Sequence, residues 1–405
     1  MNSTEYKMVL SIALVFSLRM LGLFMILPII GFYADEIPEA TPALVGWAVG
    51  IYGLAQAICQ TIFGQLSDKY GRKAIVLVGL ALFVLGSLMA VFSTSIWGLI
   101  IARAIQGMGA IGAVLLAWLS DSTRDHVRTQ AMAIVGISIG LSFGVAFIFG
   151  PVLAARIGLS GLFILMAALG STALVWVKNL PEHSEGFIKG KASNLVTDGR
   201  SMVKTARELK NIWGFIFGVF ALHALFTASF LFLPEQILHS TGLLASQTGY
   251  VYVPAFLISF LVVFPLARKT GKQSLTAAKK FMRLAIFTLS LALAYLLLPA
   301  SIHQSGLVSI LIGLSIFFSA FNFLEAFMPS YLSQIASSGQ KGMALGVYST
   351  AQFLGIFFGG AMGGLFKQHF NEISMVFFVL ALGSIWLFST IFLNYQKRSS
   401  VWLEE

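Results

Sequence analysis

The chain has 405 residues, of which 58% are hydrophobic and 10% charged, with a formal net charge of +10 and a mean hydropathy of +0.88. A soluble domain covers its surface with about 25% charged residues and a disordered chain needs low hydrophobicity, so both are excluded. In lipid only helices and closed barrels satisfy the backbone. Barrel strands read as alternating segments of about ten residues, whereas apolar runs of about twenty, the length of a spanning helix, dominate here.

The expected fold is therefore an all-α membrane protein with twelve transmembrane helices. In chain order the spans are expected near 8–33, 43–63, 74–92, 96–119, 130–154 and 160–179, then near 211–234, 244–267, 281–299, 306–332, 343–366 and 373–394. Met1–Lys7 is too short for a cleavable signal, so the first apolar run is expected to be a mature span. Residues 1–180 form one six-helix half, 181–210 a cytoplasmic linker and 211–405 a second half. Within the linker, residues 200–210 read either as an amphipathic helix on the membrane surface or as a solvated tether.

The halves echo one another. Leu119-Ser120-Asp121 followed by Gln130-Ala131-Met132-Ala133 is matched by Leu332-Ser333-Gln334 followed by Lys341-Gly342-Met343-Ala344. Gly50-Ile51-Tyr52-Gly53-Leu54-Ala55-Gln56 is matched by Gly346-Val347-Tyr348-Ser349-Thr350-Ala351-Gln352. Such pairs are what a duplicated, pseudo-symmetric transporter fold leaves in a sequence.

Basic residues fall on one side. Of the 26 Lys and Arg, Arg19 and Arg103 lie inside spans, Arg156 and Lys367 on the opposite side, and the other 22 on the side that also holds both termini. That bias places the termini in the cytoplasm and removes any need for a nucleic-acid partner. Cys59 is the only cysteine, so no intrachain disulfide or thiolate metal cluster is available. The six histidines are scattered, no zinc-ligand spacing occurs, and Gly271-Lys272-Gln273-Ser274 only imitates the end of a nucleotide loop. No metal, cofactor or ATP-driven step is expected.

Three motifs carry a resemblance. Between the second and third spans runs Gly64-Gln65-Leu66-Ser67-Asp68-Lys69-Tyr70-Gly71-Arg72-Lys73. Gly64 permits close helix approach, Gly71 a positive-φ turn, and Asp68, Arg72 and Asp121 a charge-assisted network at the membrane edge. In the fourth span stands Arg103-Ala104-Ile105-Gln106-Gly107, and in the fifth Gly150-Pro151-Val152-Leu153-Ala154-Ala155. Together these resemble the signature motifs of the drug:proton antiporter branch of the major facilitator superfamily. Two terminal glycines of the last motif are replaced here by Ala154 and Ala155. The resemblance implies a twelve-helix inner-membrane transporter, a conformational latch at Gly64, Asp68, Gly71, Arg72, Lys73 and Asp121, and helix packing at Gly150 and Pro151. Some members of that branch carry a soluble domain after the last helix. The chain ends at Glu405, eleven residues past the last expected span, so such a domain is not expected.

Ionisable residues inside spans are costly, about 2.5–3.5 kcal/mol for Arg even on lenient scales, so Arg19, Arg103, His223 and Glu325 are the candidate functional groups. They fall on spans 1, 4, 7 and 10, the helices that the resembling fold sets around a central cavity. Glu325, on a polar face with Asn322, is placed to exchange a proton. His223 could titrate or simply make an interhelical hydrogen bond. Arg19 and Arg103 stay charged and would bias Glu325 by their fixed charge, with a structural ion pair as the alternative for Arg19. Tyr52, Gln56, Gln106, Tyr348 and Gln352 are either cavity walls or interhelical hydrogen-bonding groups. With arginines but no mid-span acid on spans 1 and 4, the preference is for an anionic or neutral substrate. The 36 phenylalanines suit lipid contact or a greasy pocket. The expected function is proton-coupled efflux of a small amphipathic compound by a monomer in contact with lipid. The alternative is a sugar or organic-acid facilitator or symporter.

Overall fold

The computed structural model describes residues 1–180, 199–270, 275–299, 306–335 and 341–391, so most of the expected linker and the C-terminal segment lie outside the described residues. Helix α1 (Ser3–Ile26) opens on a reciprocal cap: the Asn2 side chain accepts from the Glu5 N–H, and Glu5 Oε2 from the Asn2 N–H, each at 2.8 Å. Helix α2 (Pro42–Tyr70) starts with Pro42 in its first turn, and Thr41 Oγ1 accepts from the Leu44 N–H. Gly71, at φ +91°, turns the chain directly into α3 (Arg72–Val91), a conformation that a side chain would strain.

The fourth span, expected as one helix, is two: α4 (Ile96–Met108) and α5 (Gly112–Asp121). Gly107 lies against α2, where a Cβ would come 2.5 Å from the Tyr52 carbonyl oxygen, and Gly109 lies against the backbone of Gly79. Glycines admit these close approaches but hold a helix poorly, so the helix breaks where it packs tightest. The fifth and sixth spans run together as α6 (Asp125–Lys178), interrupted only at Gly158 (φ 67°, ψ −180°). That conformation is essentially reserved for glycine and stands where the turn between the two spans was expected.

Helix α7 (Gly199–Ser229) extends well before the expected start of the seventh span, so residues 200–210 continue it rather than form a separate helix. It bends by 46° into α8 (Leu233–Thr241). Then follow α9 (Gly249–Thr270), α10 (Leu275–Leu296), α11 (Leu307–Ile335), α12 (Lys341–His369) and α13 (Glu372–Ile391). Among the described residues nine helices are long and apolar enough to cross a membrane, and the bent α7–α8 pair makes ten. Helix α6 supplies two crossings, and α10, with Lys279, Lys280 and Arg283 near its start, completes twelve.

In the first half α1 and α3 pack on α6, and α2 and α3 on α4. In the second, α11 packs on α9 and α10, α13 on α10 and α7, and α12 on α7. The halves meet along two seams, α2 against α12 and α6 against α9. The first seam is backbone on backbone. A Cβ at Gly50 would lie 2.8 Å from the Phe357 carbonyl oxygen, one at Gly360 2.6 Å from that of Gly46, and one at Gly364 2.6 Å from that of Pro42.

The second seam is aromatic. Phe147 of α6 meets Phe230 edge-on at 5.2 Å and Tyr252 at 5.7 Å, and Phe143 meets Phe256 at 5.3 Å and stacks on Phe321 at 6.2 Å. Toward the other end the halves part: positions 64 on α2 and 346 on α12 have nothing within 4 Å of a Cβ. Gly64 therefore does not make the close helix approach expected of it in this arrangement.

Gly360→Leu would press a side chain into unyielding α2 backbone. It is expected to cost about 1–3 kcal/mol and to lower the melting temperature in detergent, whereas Gly346→Leu, in open space, is expected to leave it within error.

Candidate functional site

Two polar clusters lie within the helices, one in each half. In the first, Arg19 of α1 is 1% exposed and Arg103 of α4 2% exposed. Arg19 Nη2 donates to the Tyr52 hydroxyl oxygen at 2.9 Å, and Gln56 Nε2 donates to the same oxygen at 2.8 Å. The Arg103 guanidinium sits 4.7 Å from the centroid of the Tyr52 ring, a cation–π contact. Its Nε donates to the Ala48 carbonyl at 3.3 Å, and its Nη1 donates to Gln106 Oε1. Gln106 Nε2 continues to Ser87 Oγ at 2.8 Å. Tyr52 thus stands between two guanidiniums, one on its hydroxyl and one on its ring. Neither arginine forms an ion pair with a carboxylate among the described residues.

The second cluster joins α7, α11 and α12. His223 Nδ1 lies 3.1 Å from the Val219 carbonyl oxygen. A carbonyl only accepts, so Nδ1 carries a proton, and in the neutral ring Nε2 holds the lone pair. Gln352 Nε2 lies 2.8 Å from that Nε2 and 3.2 Å from Glu325 Oε1, so one amide group clamps imidazole and carboxylate together. Glu325 Oε2 is 3.7 Å from His223 Nε2 and has no hydrogen-bond partner. The Tyr348 hydroxyl, one turn before Gln352 on α12, also has none. Asn322, expected beside Glu325, is held elsewhere, donating to Ser259 Oγ of α9 at 2.9 Å.

The four intramembrane ionisable groups are therefore paired rather than pooled. Arg19 and Arg103 bond only within the first half, and His223 with Glu325 only within the second. No hydrogen bond or ion pair joins either arginine to Glu325 among the described residues; their bonds go to Tyr52, Ala48 and Gln106. The two polar stripes of α2 and α12 do meet at the seam, where the Ser349 hydroxyl lies 3.4 Å from Gln60 Oε1.

At the open end, Arg72 Nη1 pairs with Asp68 Oδ1 at 2.5 Å and its Nε with Asp121 Oδ2 at 2.9 Å, while Ser67 Oγ accepts from Nη1 at 2.6 Å. Lys73 Nζ donates to the Leu180 carbonyl at 2.7 Å. Both acids are more than half exposed, so these pairs contribute little to stability. Gly150 backs onto α1, where a Cβ would lie 3.1 Å from the Met25 carbonyl oxygen, with Pro151 next to it in α6.

Two ion pairs escaped sequence reasoning, Lys367 with Glu235 at 2.6 Å and a more buried one at the start of α1. Glu5, 5% exposed, accepts from Arg124 Nε at 2.9 Å and Nη2 at 3.0 Å, tying the start of α1 to the start of α6. Sequence reading singled out neither residue, because the pair joins positions 119 apart on different helices.

Over residues 12–360 the chain matches the family model described as Major Facilitator Superfamily. The chain belongs to the major facilitator superfamily. It is 37% identical over 396 residues to the inner membrane transport protein YajR of Escherichia coli, covering 96% of this chain and 83% of that protein. Multidrug resistance protein 2 of Bacillus subtilis is 24% identical over 85% of each chain. Among solved structures the nucleoside transporter NupG matches with a TM-score of 0.73 at 14% identity, covering 96% of this chain and 100% of that one, a likeness of fold alone. The chain is thus a multi-pass transporter of this superfamily and not an enzyme.

Tyr52→Phe removes the oxygen that accepts from both Arg19 and Gln56. Stranding two buried donors is expected to cost about 1–3 kcal/mol, read as a lower melting temperature in detergent.

Proposed function

We propose that the protein is a secondary active transporter of the cell inner membrane that exports a small amphipathic compound in exchange for protons by alternating access. The observation that carries this reading is the His223–Gln352–Glu325 cluster. It is a titratable pair held by one amide, on the helix (α12) that also forms the glycine seam with the opposite half. YajR's description as an inner membrane protein and the drug-resistance relative support the compartment and the direction of transport. The positive-inside bias of the loops supports a cytoplasmic location for the Asp68 end and both termini, and in this reading the state described is open inward.

In this reading Glu325 and His223 are the proton carriers. The lone pair of neutral His223 accepts from Gln352, whose second N–H holds Glu325. A proton arriving on Nε2 displaces the Gln352 amide and turns the 3.7 Å approach of Glu325 into an ion pair. A proton arriving on Glu325 instead cancels the charge that held the amide. Either event exchanges one set of partners for another, which is what a two-state switch requires. Because Gln352 rides on α12, the exchange pulls on the seam with α2. Asp68, Arg72 and Asp121, with Gly71 and Lys73, are the latch at the inner face, and Gly64 is the position that the opposite half approaches when that face closes. Arg19 and Arg103 supply fixed charge to the first half. Tyr52 and Gln56 on α2 and Tyr348 and Gln352 on α12 are the polar groups on the two helices that form the seam, while Gln106 holds Arg103 within the first half.

Glu325→Gln is expected to abolish proton-driven efflux in proteoliposomes while leaving the folded protein intact by melting temperature. Wild-type rates, or a wild-type flux that never responds to the proton gradient, would count against the antiport reading. Asp68→Asn is expected to shift the balance between the two access states. A Gln60→Cys reporter in a Cys59→Ser background, probed by thiol labelling, would show altered reactivity, and unchanged labelling removes the latch role.

A further inference from the structure

Among the described residues several basic groups outside the membrane interior have carboxylate or carbonyl partners. Arg72 pairs with Asp68 and Asp121, Arg124 with Glu5, and Lys367 with Glu235. Arg19 differs. It is 1% exposed, its Nη2 donates to an uncharged phenol, and its Nε and Nη1 have no hydrogen-bond partner. Those two nitrogens carry three N–H donors.

A guanidinium cannot neutralise itself by losing a proton, and an uncompensated buried charge costs several kcal/mol. The neighbouring groups add to the imbalance. Arg103 places a second positive charge on the far side of the Tyr52 ring. The Tyr52 oxygen already accepts two donors, which leaves its own O–H free to donate. Gln56 Oε1 is buried without a partner, the one acceptor in the group. The cluster therefore presents an excess of positive charge and unused donors, a strong deficit of negative charge, and one acceptor suited to a hydroxyl or N–H of the same ligand.

We propose that Arg19, the Tyr52 hydroxyl and Arg103 form the anion subsite of the transporter, taking the carboxylate of an amphipathic organic acid. The inference rests on the transport reading above and adds the substrate's charge to it. A carboxylate matches the site because it accepts several donors at once and gains charge-assisted bonds to guanidinium. The apolar remainder of such a substrate suits the aromatic residues on the second-half side, of which Phe321 packs edge-on against His223 with centroids 6.0 Å apart. A hydrophobic cation is disfavoured, because it would add like charge to two arginines with no acid between them.

The test uses the full-length protein in detergent, without a gradient, and a panel of aryl carboxylates led by 1-naphthylacetate. Each acid is matched by its uncharged amide and by the corresponding ammonium compound, and binding is read by calorimetry. Carboxylates are expected to bind saturably, the amides more weakly, and the ammonium compounds not at all. Removing one partner of a desolvated charge pair costs about 2 kcal/mol or more, so Arg19→Gln is expected to weaken carboxylate binding by at least about 30-fold, with partial rescue in Arg19→Lys.

A second readout separates a ligand site from a structural pair. Because the guanidinium is uncompensated when the site is empty, Arg19→Met is expected to keep or raise the ligand-free melting temperature. A fall of several degrees would make Arg19 structural and overturn the proposal. So would a panel with no Arg19-dependent binding, tighter binding of the ammonium series, or saturation of the site by chloride alone. If such a failure leaves proton-driven efflux of another compound in proteoliposomes intact, only the anion subsite falls. If carboxylates bind but no flux responds to the gradient, the subsite stands and the antiport reading falls.

Discussion

A guanidinium carried into hydrocarbon keeps its charge and finds no bulk water, so the fold must solvate it with its own polar groups. That constraint shapes the first half of this protein. Arg103 is met by a carbonyl, an amide and a tyrosine ring, and Gln106 passes the polarity on to Ser87. These partners come from α2, α3 and α4, so solvating one charge also fixes how three helices pack. The break at Gly109 falls beside this network, where glycines bring α4 close enough to α2 and α3 for the bonds to form. The second half meets the same constraint differently. His223 and Glu325 share the amide of Gln352, and Glu325 Oε2 is left without a hydrogen bond.

The seams between the halves follow from the opposite requirement, which is to hold without polar commitment. The α2–α12 seam relies mainly on glycine, with the Ala43 N–H donating to Gln368 Oε1 at 3.1 Å and the Ser349–Gln60 contact as its hydrogen bonds, and the α6–α9 seam on aromatic rings, Phe143 against Phe256 and Phe147 against Tyr252. Both use dispersion between close surfaces. Interfaces of this kind can separate at one end while the backbone within each half stays intact, whereas a seam laced with buried ion pairs would have to desolvate charge on every cycle. The exposed Asp68–Arg72–Asp121 network suits the same logic: in contact with water, its bonds are cheap to exchange.

Much of the fold was legible because hydrophobic length and glycine placement are local signals. The twelve crossings, the turn at Gly71 and the packing role of Gly150 could be read from the chain. The internal echo of Gly50–Gln56 in Gly346–Gln352 was read only as a mark of duplication, and the structure shows that the two helices carrying it pack on each other. The site was legible only as an inventory. Sequence spacing identified Arg19, Arg103, His223 and Glu325 but could not show that they divide into two clusters, because that depends on which side chains cross between helices. It likewise placed Asn322 with Glu325 on one helix face, while Ser259 from α9 holds it. The aromatic seam was hidden for a similar reason, since a phenylalanine facing lipid and one facing the other half look the same in sequence.

The division into two clusters bears on how transport could be coupled. Fixed positive charge in one half and titratable groups in the other need not touch, because each acts on its own side of a common seam. Tyr52 and Gln56 belong to α2, Tyr348 and Gln352 to α12, and the two stripes come within one weak contact at Gln60 and Ser349. In the proposed mechanism, a change of partners at Gln352 would shift the face that α12 offers to α2, and an anion bound to Arg19 would act through Tyr52 on the face that α2 offers in return. Linkage then follows from thermodynamics alone: whichever cluster favours one arrangement of the seam lowers the cost for the other to adopt it.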